Sequence, residues 1–177
     1  GLGFDILWGK IHQQFGTGGS GSNGQILFED SKFGLGLNAG LLLKFSDTSR
    51  MGIKYRSPID LYFKDAPTVT NTPAIPTLPT IGMDMTVPQE LSIGLFFETS
   101  KTLSLLLGFG WQNWEEFGEF SLQSNGTEVT ALNANLENTW NVSLGIIFDT
   151  SETEKLSFGL AYDSSAVEDA NRTVILP

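Results

Sequence analysis

Residues able to perform covalent or metal chemistry are scarce in this sequence of 177 residues. There is no cysteine, which excludes disulfides, thiolate metal sites and a cysteine nucleophile. His12 is the one histidine, so a Ser-His-Asp triad would have to use it. A solvated histidine at the end of a strand is the simpler interpretation. We therefore expect neither enzyme activity nor a cofactor.

Two further segments contain residue types found in known binding sites but lack the other features that such sites need. Residues 16–21 (GTGGSG) fit G-x-G-x-x-G, but a dinucleotide site also needs a helix directly after the glycines, and none is indicated. A flexible loop is expected instead. Asp149, Glu152 and Glu154 could offer oxygen ligands to Ca²⁺, yet their spacing fits no calcium-binding loop. They predict a solvated turn and no metal site.

The charge balance excludes another class of function. Lys and Arg number 10 against 20 Asp and Glu, which gives a net charge of −10. Nucleic-acid binding requires clustered cations to neutralise phosphates, so no nucleic-acid partner is expected. No apolar run approaches the ~18 residues of a transmembrane helix.

Apolar residues instead occupy every second position over long segments, which is the period of a β-strand. From Phe33 to Phe45 the odd positions are apolar, while the even ones carry Gly, Asn and Lys, with Leu42 as the exception. The same alternation predicts six more strands, over 2–8, 51–63, 83–97, 103–111, 131–148 and 156–162. Ile59, Leu61 and Phe63 then share the apolar face of Met51. Positions 129–140 would also fit a helix, but their Asn and Thr content favours a strand.

The connections between these segments alternate in length. Short polar turns at 46–49, 100–101 and 150–154 alternate with longer links at 16–24, 65–82 and 123–130. Short turns at one end and long loops at the other predict an all-β, antiparallel up-and-down meander of about seven long strands. The same arrangement is typical of an outer-membrane barrel.

The two faces of the strands distinguish a membrane sheet from a soluble one. The polar face is mostly Gly, Ser, Asn and Thr, as in a barrel lumen. Four phenylalanines lie on the apolar face next to the short turns: Phe45, Phe97, Phe148 and Phe158. Trp111 and Trp140 lie about eight residues further along their strands, a rise of ~20 Å that is close to the membrane-facing band of a barrel. We predict part of a transmembrane β-barrel; the alternative is a soluble β-sandwich of lectin or adhesin type.

Several segments resemble the FadL family of outer-membrane transporters for long-chain fatty acids and hydrocarbons. They are 33–42 (FGLGLNAGLL), 50–57 (RMGIKYRS), 86–91 (TVPQEL), 111–117 (WQNWEEF), 162–165 (YDSS), 171–173 (NRT) and 176–177 (LP). They occur in the family's order from about residue 26 onward. The resemblance implies a fourteen-stranded monomeric barrel with an N-terminal plug, in the bacterial outer membrane.

Against that expectation the chain covers only about seven strands. Residues 1–5 show no signal peptide, and the sequence ends on Pro177. We therefore interpret 1–177 as a partial outer-membrane barrel domain from which the plug and the C-terminal strands are absent. The implied function is passive uptake of long-chain fatty acids or hydrocarbons. A barrel enzyme is disfavoured by the single histidine.

The basic residues of the polar face are the candidate ligand site. Lys54 and Arg56 share a face with Tyr62 and Phe96, and Arg172 lies in the matched NRT segment. A fatty-acid carboxylate would need such a cation. The alternative is an ion-pair network that joins Arg56 or Lys54 to a carboxylate, either Glu90 or Asp60.

The uncharged segment 66–81 is a second candidate contact site. It carries Ile75, Leu78 and Ile81 among prolines, and an exposed apolar loop usually marks a contact surface. It is interpreted as a landing surface for a hydrophobic substrate, or else as a link stiffened by proline. The expected partners are a hydrophobic small molecule and outer-membrane lipid.

Overall fold

The computed structural model describes residues 1–16, 24–71, 78–117, 119–133 and 135–167. Its elements are β1 (Leu2–Gly16), β2 (Gln25–Lys44), β3 (Ser49–Arg56), β4 (Ile59–Asp65), β5 (Thr68–Thr70), β6 (Ile81–Val87), β7 (Glu90–Ser100), β8 (Leu103–Gln112), α1 (Trp114–Phe117), β9 (Glu119–Ser124), β10 (Thr127–Asn133), β11 (Thr139–Asp149) and β12 (Lys155–Asp163). Within these ranges no helix is long and apolar enough to span a bilayer.

The larger sheet is a curled, antiparallel wall with the strand order β1-β2-β3-β7-β8-β11-β12. The short strand β5 pairs with the first residues of β2. Links of four, two and five residues join β2 to β3, β7 to β8 and β11 to β12, at the turns that the sequence indicated. The predicted meander of about seven long strands is confirmed. We call this sheet the wall.

The wall has one apolar face that no other element covers in the described part of the chain. Leu2, Phe4 and Ile6 on β1 are 91%, 83% and 73% exposed. The same face carries exposed apolar residues on the other strands, among them Phe33, Leu35, Leu37, Leu107, Phe109, Trp140, Leu144, Phe158 and Leu160. Trp140 lies opposite Trp111 and its ring contacts that of Tyr162, 5.3 Å between centroids. This outer face is the one the alternation assigned to lipid.

Four strands of the wall end together on one cross-strand row. Arg56 of β3 lies opposite Glu90 of β7, which lies opposite Gln112 of β8, which in turn lies opposite Thr139 of β11. We call this row the seam. Beyond it the chain forms a second sheet in the order β4-β6-β9-β10. This order repeats β3-β7-β8-β11, so the second sheet continues the wall in a different plane.

The seam corrects three strand predictions. Segments 51–63, 83–97 and 131–148 are each two strands rather than one, divided at residues 57–58, 88–89 and 135–138. Two of the breaks contain proline, Pro58 and Pro88, which has no N–H to donate to a ladder. At the third break Asn135 has a φ of 50°, which a continuing strand does not allow.

Ile59, Leu61 and Phe63 lie on the opposite side of the wall from the one predicted. They are only 4%, 4% and 2% exposed, whereas the sequence placed them on the lipid-facing side with Met51. After Pro58, β4 turns inward and lays these side chains against the inner face of β1 and β2. They form the core with Phe28, and partly buried apolar residues pack around it: Leu7, Ile11, Ile81, Met83 and Met85.

Glycine makes this inward packing possible. A Cβ on Gly34 would lie 3.0 Å from the carbonyl oxygen of Asp60 and would also collide with Ile59. A Cβ on Gly9 would lie 2.8 Å from Leu61 Cδ1. Gly34 and the other inner-face glycines of β2 therefore have a second role besides leaving space in the lumen. They provide the surface on which β4 packs.

Gly34→Ala is expected to weaken the docking of β4 on β2 by about 1–3 kcal/mol, the usual cost of overpacking. The reason is that the Asp60 carbonyl is backbone and cannot rotate away. The measurement is hydrogen exchange of the β4 amides. Gly52→Ala is the matched control, since a Cβ there meets nothing within 4 Å. Equal exchange in the two variants would contradict this account of the glycines.

The segment 123–130 was predicted as a long link, and this prediction is wrong. β9 ends at Ser124 and β10 begins at Thr127, so only Asn125 and Gly126 connect them. Both have positive φ, 51° and 81°, as a two-residue type I′ hairpin requires. The Asn-Gly pair is the strongest short-range hairpin signal in a sequence and could have identified the turn.

Candidate functional site: a groove on the inner face of the wall

A row of mostly small residues crosses the inner face of the wall. Its members are successive cross-strand partners on six neighbouring strands: Leu42, Gly52, Gly94, Gly108, Ser143 and Ala161. At ~4.8 Å per strand the row is about 24 Å long. It is the floor of an open groove of about 650 Å³, which we call the inner groove.

The floor is smooth because backbone, not side chain, forms much of it. A Cβ built on Gly52 or Gly94 would meet nothing within 4 Å. Packing within the wall therefore does not demand glycine at these two positions. What glycine does there is leave space on the inner side of the wall. Phe96 and Leu106, which are paired on the next row toward the short turns, add apolar side chains to the lining.

A cation lies at the end of the groove near the short turns. The guanidinium carbon of Arg50 is 4.3 Å from the centroid of the Phe96 ring, which is cation–π geometry. Phe96 was a predicted site residue, and Arg50 was not. The signal that could have found Arg50 is its position in β3, since it shares the parity of Lys54 and Arg56 and therefore the same face.

The two predicted cations of β3 differ in their surroundings. Lys54 lies two residues from Gly52 on the same face and lines a smaller adjoining groove of about 590 Å³ with Ser92 and Gly94. Arg56 lies on the seam, with Nε 3.6 Å from Asp5 Oδ2 and Nη1 3.7 Å from Glu90 Oε2. The ion pair between Arg56 and Glu90 is the alternative that the sequence analysis left open.

The other predicted ligand residues lie elsewhere or outside the described residues. Tyr62 is on β4, in the second sheet, where its hydroxyl donates to Gln123 Oε1 at 3.1 Å. It does not share a face with Lys54, because the seam separates the two strands. Asp60, the other proposed ion-pair partner, accepts a hydrogen bond from Thr86 Oγ1 at 2.8 Å. Arg172 lies outside the described residues.

The predicted landing segment is described only in part. Leu78 is half-buried, and Ile81 packs against the core of Phe28, Leu61 and Phe63. Ile75 lies outside the described residues. A contact role for these residues stays a prediction.

The second sheet carries a small group of carboxylates. Burial raises the pKa of the Asp84 carboxyl, and the neighbouring charges of Asp60 and Glu128 raise it further. Gln123 Nε2 donates to Asp84 Oδ2 at 3.3 Å. Across the described ranges, no group of three or more His, Cys, Asp or Glu side chains is arranged to hold a metal ion.

Comparison with known families gives one match along almost the whole chain. The family is described as "Outer membrane protein transport protein (OMPP1/FadL/TodX)", and its model matches residues 8–177.

Curated relatives agree with this match at low sequence identity. A 47 kDa outer membrane protein of Pasteurella multocida is 27% identical over 169 residues, covering 84% of this chain and 38% of its own length. Outer membrane protein P1 of Haemophilus influenzae is 25% identical, covering 83% and 34%. A long-chain fatty acid transport protein of Salmonella typhi is 21% identical, covering 100% and 48%. The chain thus spans between a third and a half of the length of these relatives.

Solved structures show the same fold. A FadL homologue of Pseudomonas aeruginosa superposes with a TM-score of 0.71 at 19% identity, covering 97% of this chain and 48% of the other. The toluene transporter TbuX of Ralstonia pickettii gives 0.60 at 16% identity, covering 92% and 50%.

Proposed function

Because the chain belongs to the OMPP1/FadL/TodX family of outer membrane transport proteins, we propose that it serves the passive uptake of hydrophobic compounds across the bacterial outer membrane. Membership confirms the resemblance noted in the sequence and the location in the outer membrane. The family consists of transport proteins and not enzymes. Neither the soluble lectin or adhesin nor the barrel enzyme finds support in these comparisons.

The inner groove is the observation that carries this proposal. A hydrophobic ligand gains free energy by leaving water for an apolar surface, and the backbone floor from Gly52 to Ala161 leaves space for one. No side chain projects from the glycine positions to trap the ligand in one place. Movement along such a surface needs no covalent step.

The domain assignment is part of the same proposal. Residues 1–177 form one stretch of a monomeric barrel whose remaining strands would close the wall against β1 and β12. Support comes from the coverage of the solved homologues, of which the chain matches about half. The surrounding membrane lipid would contact the outer face of the wall.

Two kinds of substrate fit an apolar groove, and the cations distinguish them. The relatives include proteins named for long-chain fatty acids and for toluene. A fatty acid carries a carboxylate that a cation would hold, whereas a hydrocarbon carries none. Lys54 is the better candidate for this contact, because no ion pair joins it to another described residue, while Arg56 already faces Asp5 and Glu90.

Lys54→Ala is expected to weaken the binding of a long-chain fatty acid about five- to tenfold, because a partly exposed charge-assisted hydrogen bond contributes about 1–1.5 kcal/mol. Binding of a hydrocarbon of similar length is expected to be unchanged. Fluorescence titration of the purified full-length protein in detergent measures both. Equal loss for acid and hydrocarbon would show that Lys54 acts through packing and not through charge.

Arg56→Ala is expected to weaken fatty-acid binding less than Lys54→Ala does, because two carboxylates already share this guanidinium. The same titration applies, together with the urea concentration at which the protein unfolds. If Arg56→Ala leaves the affinity for fatty acid unchanged but lowers the urea concentration at the unfolding midpoint, the role of Arg56 is only to form the ion pairs.

The landing surface is a separate part of the proposal. The uncharged sequence 66–81 and the partial exposure of Leu78 support it, whereas Ile81 is engaged by the core. We propose that Ile75 and Leu78 make the first contact with a hydrophobic substrate.

Cells that lack the gene test the function as a whole. Restoring the full-length gene should restore growth on, or uptake of, a hydrophobic compound, and the purified protein should need detergent and change its gel mobility on heating. A protein that is soluble without detergent would overturn the transporter proposal.

A further inference from the structure

The outer face of β1 and β2 changes from apolar to charged at one sharp boundary. On β1 the exposed residues up to Trp8 are apolar, and the next residues of the same parity are Lys10 and His12. On β2, Phe33 lies opposite Trp8, and the next residues beyond it on the same face are Ser31 and Glu29. The boundary therefore runs between the row of Trp8 and the row of Lys10.

Beyond this boundary lies a compact charged group, which we call the outer-face cluster: Lys10, His12 and Glu29. Lys10 Nζ is 2.6 Å from Glu29 Oε1, and His12 Nδ1 is 2.8 Å from Glu29 Oε2. All three side chains are between 43% and 53% exposed. One carboxylate is thus shared by two basic groups, each of which keeps an accessible side.

The position of the cluster follows from electrostatics. Charged groups are costly in hydrocarbon and lie at the level of the lipid headgroups when they face lipid. Lys10 is two residues beyond Trp8, which places it about 5 Å further from the bilayer centre on a tilted strand. The cluster lies at the end of the wall opposite the short turns. In outer-membrane barrels short turns are periplasmic, so this end faces the outer leaflet.

We propose that the outer-face cluster binds the phosphate of an outer-leaflet lipid headgroup. Lys10 and His12 would donate to the phosphate oxygens, and the Trp8 ring would lie against the upper part of the acyl chains. Glu29 holds the two basic side chains in place and competes with the phosphate for them. A recess of about 330 Å³ is open to such a group and is lined by Trp8, Lys10, Glu29, Asp30 and Ser31. The Asp30 carboxylate is already engaged by the Lys32 ammonium group and the Lys64 backbone N–H. This inference depends on the placement in the membrane and not on the transported substrate.

Titration of a diphosphorylated lipid A into the purified full-length protein, followed by native mass spectrometry, tests the proposal. Lys10→Ala should reduce the bound fraction and weaken apparent affinity about fivefold, the usual effect of one cation at an anionic lipid surface. Glu29→Gln should have the opposite effect, because it removes the competing carboxylate. If the cluster only stabilised the strands, Lys10→Ala and Glu29→Gln would not change the binding of lipid A in opposite directions.

Lys155→Ala is the matched control, because Lys155 also forms a surface ion pair, with Asp149 at 3.0 Å, but at the short-turn end of the wall. It should leave lipid A binding unchanged. Heat-modifiable gel migration establishes that each variant is folded. The proposal is overturned if phosphate-free lipid A binds as tightly as the phosphorylated form, if Lys10→Ala behaves like Lys155→Ala, or if Glu29→Gln weakens binding. Free inorganic phosphate at millimolar concentration should not displace the lipid.

Discussion

Gly94→Trp is expected to reduce uptake of hydrophobic compounds at least about tenfold, which corresponds to about 1.4 kcal/mol on the barrier to passage. Gly94 lies in the middle of the row that crosses the inner groove, between Gly52 and Gly108. A side chain there would project directly into the groove. The measurement is the initial rate of uptake of a labelled hydrophobic compound by cells that produce equal amounts of each variant.

The wall itself should tolerate this change. The Cβ of residue 94 would meet nothing within 4 Å, so a side chain can leave the backbone there without displacing an atom of the wall. Val142→Trp is the control, because Val142 is 42% exposed on the outer face and does not line the inner groove. It adds comparable bulk on the lipid side and should leave uptake near normal. Equal uptake by the two variants would mean that the inner groove is not on the transport route.

Phe63→Ala is expected to destabilise the docked second sheet by about 3–5 kcal/mol, the usual cost of deleting a fully buried phenyl group. Phe63 is 2% exposed, the most deeply buried large side chain in the described part of the chain. Its ring packs with Phe28 and Leu61 and reaches the inner side of β1 at Gly9. Its removal leaves a cavity where the two sheets meet.

This loss should be local. Hydrogen exchange of the amides in β4 and β6 is expected to accelerate strongly, while that of β8 and β11 stays slow, because the wall keeps its own ladders. Phe158→Ala is the control, since Phe158 is 60% exposed on the outer face. If exchange in β8 and β11 rises as much as in β4, the two sheets unfold as one unit and the seam is not a boundary.

Much of the wall could be predicted because the relevant signal is local. The alternation over 33–45 and 103–111 indicates on which face of its strand each residue lies. Phe45, Phe148 and Phe158 indicate where the lipid-facing band ends, and no other segment is needed to recognise this. The family motifs add the order of strands. The cations Lys54 and Arg56 and the aromatic Phe96 follow from the same parity.

The seam could not be predicted in this way. The parity of Leu61 matches that of Met51, and the one polar residue at that parity, Ser57, does not by itself specify which sheet the following strand joins. Which sheet a strand joins depends on partners distant in the chain: β4 turns inward because Gly34 and Gly9 leave room for Ile59 and Leu61 on the far side of β2 and β1. The ion partner of Arg56 on β1, Asp5, is likewise brought close only by the pairing of three strands.

The sequence by itself therefore determined that the chain makes a membrane wall with one apolar and one small, polar face, and to which family it belongs. The tertiary structure alone decided where that wall ends, which apolar residues leave the lipid side to form a core, and which cations beside the inner groove form no ion pair with another described residue. The physical reason is that periodicity specifies the two faces of a strand, whereas the choice between lipid, core and lumen is made by the packing of surfaces that only the fold brings together.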